Sequence, residues 1–180
     1  MPGIDAWNRM PGPVDFFFYG TLRDAGIRRI VLGAEAPSLS AVPATLEGYR
    51  CAPVERGRFP GIVAEPGAAA PGMLVQGVLV QGVSLDAAAR TSFFESEGSL
   101  YDIARKPLAV AGGRDADAWV YVAAAVLPVE AGEWRFEDWR RRWRLALLGD
   151  ARAAMARATP AELGRYRRVW SDRLSRLRTS

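Results

Sequence analysis

Apolar and polar positions along this chain change period several times, and each change predicts an element. Phe16-Phe17-Phe18-Tyr19 is a short aromatic run that stops at Gly20. A run of that length and composition predicts a strand rather than a buried helix. Asp24 to Leu32 carries Ile27, Ile30 and Val31 on one side and predicts a short helix. Ala41 to Tyr49 predicts a strand, with Gly48 as its break. Arg58 to Glu65 reads as a turn entering a strand, and Glu65 to Gly72, with Pro66, Gly67, Pro71 and Gly72, as a loop. Met73 to Val83 alternates as a strand, with Gly77 and Gly82 as bulge or close-approach positions. Ser84 followed by Asp86 starts a helix that ends before Gly98. Tyr101 to Ala111 and Asp117 to Leu127 predict two more strands, and Gly112-Gly113-Arg114-Asp115 between them reads as a hairpin connection.

After Pro128 the period becomes helical. Phe136 to Leu148 spaces Trp139, Trp143, Ala146 and Leu147 on one face, and Ala151 to Ala158 continues as Ala-rich helix. Pro160 opens another helix, with Leu163, Tyr166, Trp170, Leu174 and Leu177 on one face and arginines elsewhere. The expectation is an α+β protein: a small mixed β-barrel flanked by helices, with two C-terminal helices, rather than a doubly wound sheet. The expected organisation is a flexible lead-in over 1–13, a barrel domain over 14–128 and an arginine-rich helical extension over 129–180 packed on it.

Composition narrows the chemistry by what it omits. The 180 residues contain no histidine, which removes Ser-His-Asp and Cys-His catalysis and the usual zinc sites. Lys106 is the one lysine, and no Gly-rich loop ends in Gly-Lys-Ser/Thr. Acid–base work therefore falls to Asp, Glu or Tyr, and no metal or cofactor is expected. The single Cys51 rules out an internal disulfide and reads as a small buried residue rather than a nucleophile. No apolar run reaches the roughly 18–20 residues that span a bilayer, and no signal peptide is read at the N-terminus. A cytoplasmic location without membrane association is the expectation.

Charge is unevenly spread. Residues 135–180 hold thirteen arginines against five acids, a local +8, while residues 1–134 hold eleven basic against fifteen acidic residues, a local −4; together they make the net +4. Arg, Trp and Tyr interleaved on the terminal helices raise RNA or an acidic surface as a partner. The separation of apolar and basic faces is instead the pattern of a helix packed on a domain with a solvated outer side. Nucleic acid is accordingly not the expected partner, and a monomer or a homodimer through the tryptophans is.

The turn Tyr19-Gly20-Thr21-Leu22-Arg23 is the first candidate site, because a strand ending in such a turn aims backbone N–H groups at a carboxylate or oxyanion. Three segments follow it: Phe59-Pro60-Gly61, Glu97-Gly98-Ser99-Leu100-Tyr101 and Ala118-Trp119-Val120-Tyr121-Val122. In this order the four resemble the γ-glutamylcyclotransferase family, including AIG2-like proteins and γ-glutamylamine cyclotransferases. The resemblance spans roughly 14–127. Three positions depart from the family pattern: Phe94 stands at its usual Asp, Ser96 at its usual aromatic residue and Ile103 at its usual Arg.

The resemblance implies a small barrel with the substrate held at one mouth, and a cofactor-free reaction. The substrate is a γ-glutamyl amine or peptide, whose own α-amine attacks the γ-carbonyl, closing 5-oxoproline and releasing the amine. Proximity is built into such a substrate, and one carboxylate can make both proton transfers. The resemblance aligns Glu97, immediately before Gly98, with the family's catalytic glutamate; Glu95 is a second candidate that a shifted loop presents. Tyr19, Gly20, Thr21 and Leu22 are expected to bind substrate through backbone N–H groups, with Tyr101 and Tyr121 lining the pocket or bonding substrate. Arg23 is a candidate carboxylate partner, and Phe59-Pro60-Gly61 a shaping turn. A second reading stands beside the enzyme: a catalytically degenerate barrel acting as a binding module, with the basic helical tail holding an acidic partner.

Overall fold

The structure, a computed structural model, describes residues 13–65 and 74–179. The predicted lead-in up to residue 12, the loop after Glu65 and Met73 lie outside the described residues. In chain order the elements are β1 (Val14–Phe18), α1 (Ala25–Leu32), β2 (Ala41–Glu47), β3 (Tyr49–Val54), β4 (Phe59–Ala64), β5 (Leu74–Val83), α2 (Leu85–Phe94), β6 (Tyr101–Val110), β7 (Arg114–Ala123), α3 (Phe136–Arg142), α4 (Arg144–Arg157) and α5 (Pro160–Arg178).

Five strands close into a barrel in the order β1-β5-β2-β6-β7, and β3 and β4 form a separate two-stranded sheet. The barrel is mixed because β1 runs antiparallel to β5 but parallel to β7, where Phe16 pairs with Trp119. From Phe16 to Phe18 β1 is apolar on both faces because both are covered. Phe17 and Tyr19 join Leu46, Leu79, Leu108 and Val120 in the barrel interior. Phe16 and Phe18 belong to the layer between barrel and helices, with Ile27, Val31, Trp139 and Trp170. Gly77 is the predicted close approach: a Cβ there would lie 2.5 Å from two ring carbons of Phe17.

Several boundaries move from the sequence-based expectation. Gly48, at φ +83, ends β2 as expected, but the chain continues directly into β3, which pairs with β4 from Tyr49↔Ala64 to Val54↔Phe59. The last barrel strand begins at Arg114, inside the expected hairpin connection, and ends at Ala123. The first of the two expected terminal helices is divided at Trp143, whose φ of −119° separates α3 from α4. The segment between β7 and α3 runs along β3, with Glu130 N donating to Pro53 O and Trp134 N to Cys51 O at 2.8 Å each. α5 begins with a capping box between Thr159 and Glu162 and packs on α2, burying Trp170 completely. Among the described residues no helix is long and apolar enough to cross a membrane.

Candidate active site

Two chain reversals build the site. The first follows β1. Gly20 precedes a 3-10 turn over Thr21–Arg23, in which Arg23 N and Asp24 N donate to the carbonyls of Gly20 and Thr21 at 3.0 Å. The N–H groups of Gly20, Thr21 and Leu22 come before the first such bond, so the turn itself offers them no acceptor. Arg28 Nη1 braces the turn from behind, donating to the carbonyls of Leu22 at 2.9 Å and Arg23 at 2.6 Å. Asp24 caps α1 by accepting from Gly26 N and Ile27 N, and its other oxygen accepts from Arg144 Nε of α4 at 2.6 Å. Burial pushes the Asp24 carboxyl up, but Arg144 and the two N–H groups outweigh it and hold it below the usual range. Glycine is required at position 20 by contact: a Cβ would stand 2.8 Å from Pro60 Cγ.

The second reversal ends α2. Ser96 N donates to Phe93 O and Glu97 N to Ser92 O, with Ser96 at φ +53. This is a Schellman pattern with serine at the position glycine usually takes. It turns the chain so that Glu95 and Glu97 meet different surroundings. Glu95 lines a cavity of about 200 Å³ together with the Tyr19–Leu22 turn, Phe59, Pro60, Tyr101 and Tyr121. Burial among these apolar walls raises its carboxyl to about 8. Glu97 is not among the described cavity residues. Its two carboxylate oxygens accept from Ser92 Oγ and from Arg173 Nη2 of α5, both at 2.5 Å, and its carbonyl accepts from Tyr166 Oη at 3.3 Å.

The three tyrosines line the cavity with their rings while their hydroxyls are engaged elsewhere. Tyr19 Oη donates to Tyr121 O at 2.6 Å and accepts from Ile62 N, and Tyr101 Oη donates to Pro60 O at 2.6 Å. Tyr121 Oη lies 2.9 Å from Ser92 Oγ, which also accepts from Trp170 Nε1 at 2.9 Å. Ser92 gives its one proton to Glu97, so Tyr121 must be the donor in that contact. Burial raises all three phenols, which keeps them protonated near neutrality.

Arg23 turns away from this cavity: its guanidinium sits 4.3 Å over the Phe136 ring. It lines a second, larger cavity of about 470 Å³ with Arg50, Cys51 and Glu133. Burial pushes the Cys51 thiol up to about 12, so it carries no thiolate there. Among the described residues no group of His, Cys, Asp and Glu could hold a metal ion. Sequence patterns mark neither Ser92 nor Arg173 as a site residue, nor Leu147, which also lines the first cavity. Ser92 gives no signal inside a helix, Arg173 is one of thirteen arginines in its region, and Leu147 reads as packing. Tail charge is partly used within the fold, since Arg167 pairs with Asp86 at 3.2 Å and Arg173 with Glu97.

The family model for gamma-glutamyl cyclotransferase, AIG2-like, matches residues 16–141. A protein from Arabidopsis thaliana solved in solution is 21% identical, with 76% of this chain and 87% of that chain covered and a TM-score of 0.53. A second Arabidopsis thaliana protein is 22% identical over 78% and 80% of the two chains, with a TM-score of 0.50. A solved gamma-glutamyl cyclotransferase is 13% identical over 82% and 88%, with a TM-score of 0.51. At these identities the likeness is one of fold. No curated protein shows significant similarity to the chain.

Proposed function

This chain belongs to the gamma-glutamyl cyclotransferase, AIG2-like family, and from that premise we propose that it cyclises a γ-glutamyl amine or peptide to 5-oxoproline with Glu95 as the acid–base group. One observation carries the assignment. Glu95 is the acid that shares the apolar cavity with the Tyr19–Leu22 turn, and burial raises its carboxyl to about 8. That value is close to what transfer to and from an amine near neutral pH requires. Glu97, which the sequence resemblance favoured, has both oxygens engaged by Ser92 and Arg173. The role therefore falls to Glu95, the second candidate.

The steps follow from that placement. Ionised Glu95 takes a proton from the substrate's α-ammonium. The freed amine attacks the γ-carbonyl carbon, a C–N bond forms and negative charge collects on the carbonyl oxygen. The N–H groups of Gly20, Thr21 and Leu22 are the donors available to that oxygen or to the α-carboxylate. Glu95 returns its proton to the leaving nitrogen as the old C–N bond breaks. The attacking nitrogen loses a second proton on becoming the lactam, and the expelled amine takes it up.

The test is 5-oxoproline release from a panel of γ-glutamyl amines and peptides. Glu95→Gln is expected to lower kcat by about 10²–10⁴-fold with an unchanged circular dichroism spectrum. Wild-type turnover by that variant overturns the role of Glu95, and silence of the wild type across the panel overturns the reaction.

A further inference from the structure

The family match ends at residue 141, yet three side-chain hydrogen bonds onto Ser92 and Glu97, on either side of Glu95, come from α5, well beyond it. Trp170 Nε1 donates to Ser92 Oγ, Arg173 Nη2 donates to Glu97 Oε1 and Tyr166 Oη donates to Glu97 O. Arg173 is itself held in place, 4.4 Å over the ring of Trp170 and 5.4 Å over that of Trp119. Trp170 in turn stands edge-on to Phe16 and Trp119 of the barrel. A rigid aromatic support thus presents one guanidinium to the carboxylate two residues beyond Glu95.

We propose that α5 is a working part of the site, with Arg173 and Trp170 as positioning residues that hold the Glu95–Glu97 turn and the Tyr121 wall in the geometry the reaction uses. The proposal rests on the function read above.

Three relationships carry it. Ser96 lies at φ +53, a left-handed conformation that a serine keeps only where the surroundings impose it. The surroundings that do so are the two backbone bonds of the Schellman turn and the anchored Glu97 side chain on its far side. Next, Ser92 is saturated: it donates to Glu97 and accepts from both Trp170 and Tyr121. Since Trp Nε1 only donates and a carboxylate only accepts, the donations of Trp170 and Tyr121 converge on Ser92 Oγ, and its own proton goes to Glu97. Finally, Glu97 is nearly enclosed, with a side-chain exposure of 9%, so its charge has no alternative in solvent. Without Arg173 it would seek one, and the turn carrying Glu95 would move with it. The placement of Glu95 in the cavity is therefore set on one side by α2 and on the other by a helix outside the matched segment.

The experiment measures kcat, KM and melting temperature for wild type, Arg173→Met, the double variant Arg173→Met/Glu97→Gln, Arg173→Lys and Glu95→Gln, all assayed well below every melting point. Arg173→Met leaves a buried charge unpaired and is expected to melt early. The double variant removes that charge and is expected to recover the wild-type melting temperature while keeping kcat about 10- to 100-fold down, with KM within about threefold. Arg173→Lys, which restores the cation without the flat stacking group, is expected to regain part of the lost kcat. A double variant that is as stable and as fast as wild type overturns the proposal and leaves α5 a packing element. Glu95→Gln is the control for the functional reading: its wild-type turnover, or a silent wild type, overturns that reading and this proposal with it.

Discussion

Glu95 and Glu97 stand two residues apart and face different environments, one an apolar cavity and the other the guanidinium of Arg173. The Schellman turn with Ser96 at its centre produces the divergence. The consequence is chemical. The acid in the cavity has its carboxyl raised by burial, and the acid facing Arg173 is locked in a network.

That difference predicts a stability signature. Glu95 titrates near 8 in the folded protein and near 4.3 in an unfolded chain. Between those values the folded state holds a proton that the unfolded state has lost, so stability falls as pH rises through the window. Glu95→Gln carries no such proton. Its stability is expected to match wild type near pH 4.5 and exceed it at pH 8–9 by up to about 4 kcal/mol, at 1.36 kcal/mol per pKa unit. Urea denaturation of both proteins across that range measures the gap. In the same range kcat/KM of wild type is expected to rise with pH and level off above about 8, since proton abstraction needs the ionised form.

Gly20 tests the mouth of the cavity. A methyl group at this position meets Pro60 Cγ at 2.8 Å, and Pro60 is tethered at its carbonyl by Tyr101 Oη at 2.6 Å. Gly20→Ala is expected to cost about 1–3 kcal/mol by overpacking and to displace the N–H donors of the turn. Thermal unfolding gives the first effect, and a fall in kcat/KM larger than the loss of folded protein gives the second.

Trp170 separates packing from hydrogen bonding. It is fully buried against Phe16 and Trp119. Trp170→Ala is expected to cost about 3–5 kcal/mol. Trp170→Phe keeps most of the apolar contact but removes the donor to Ser92, so a smaller loss of about 1 kcal/mol is expected. Denaturant midpoints of the two variants against wild type measure both. Equal losses would mean that the Nε1 bond, not the ring packing, dominates at this position.

Most of the local structure is legible in the residues alone. Phe16 to Phe18 lies in a strand because an aromatic run bounded by glycine has few other options, and Ser84 and Pro160 mark helix starts through cap and first-turn chemistry. The absence of histidine limits acid–base chemistry to carboxylates and phenols. The order of the turn, proline, acidic and late-strand motifs carried the family resemblance, and residues 16–141 match that family. Strand β3 was not legible, because Tyr49 to Val54 has little alternation and its pairing with β4 becomes visible only in three dimensions. The break at Trp143 was hidden too, since apolar residues keep helical spacing on either side of it.

Which glutamate meets the cavity depends on packing between elements distant in sequence. Spacing in sequence makes Glu95 and Glu97 near equivalents, and adjacency to Gly98 favours the second. The left-handed turn at Ser96 is a backbone choice among few residues, settled by hydrogen bonds to α2 and by a partner seventy-six positions away on α5. The arginine tail was equally ambiguous for the same reason. Its sequence shows thirteen similar cations, and contact geometry alone singles out Arg173 as the one that reaches Glu97.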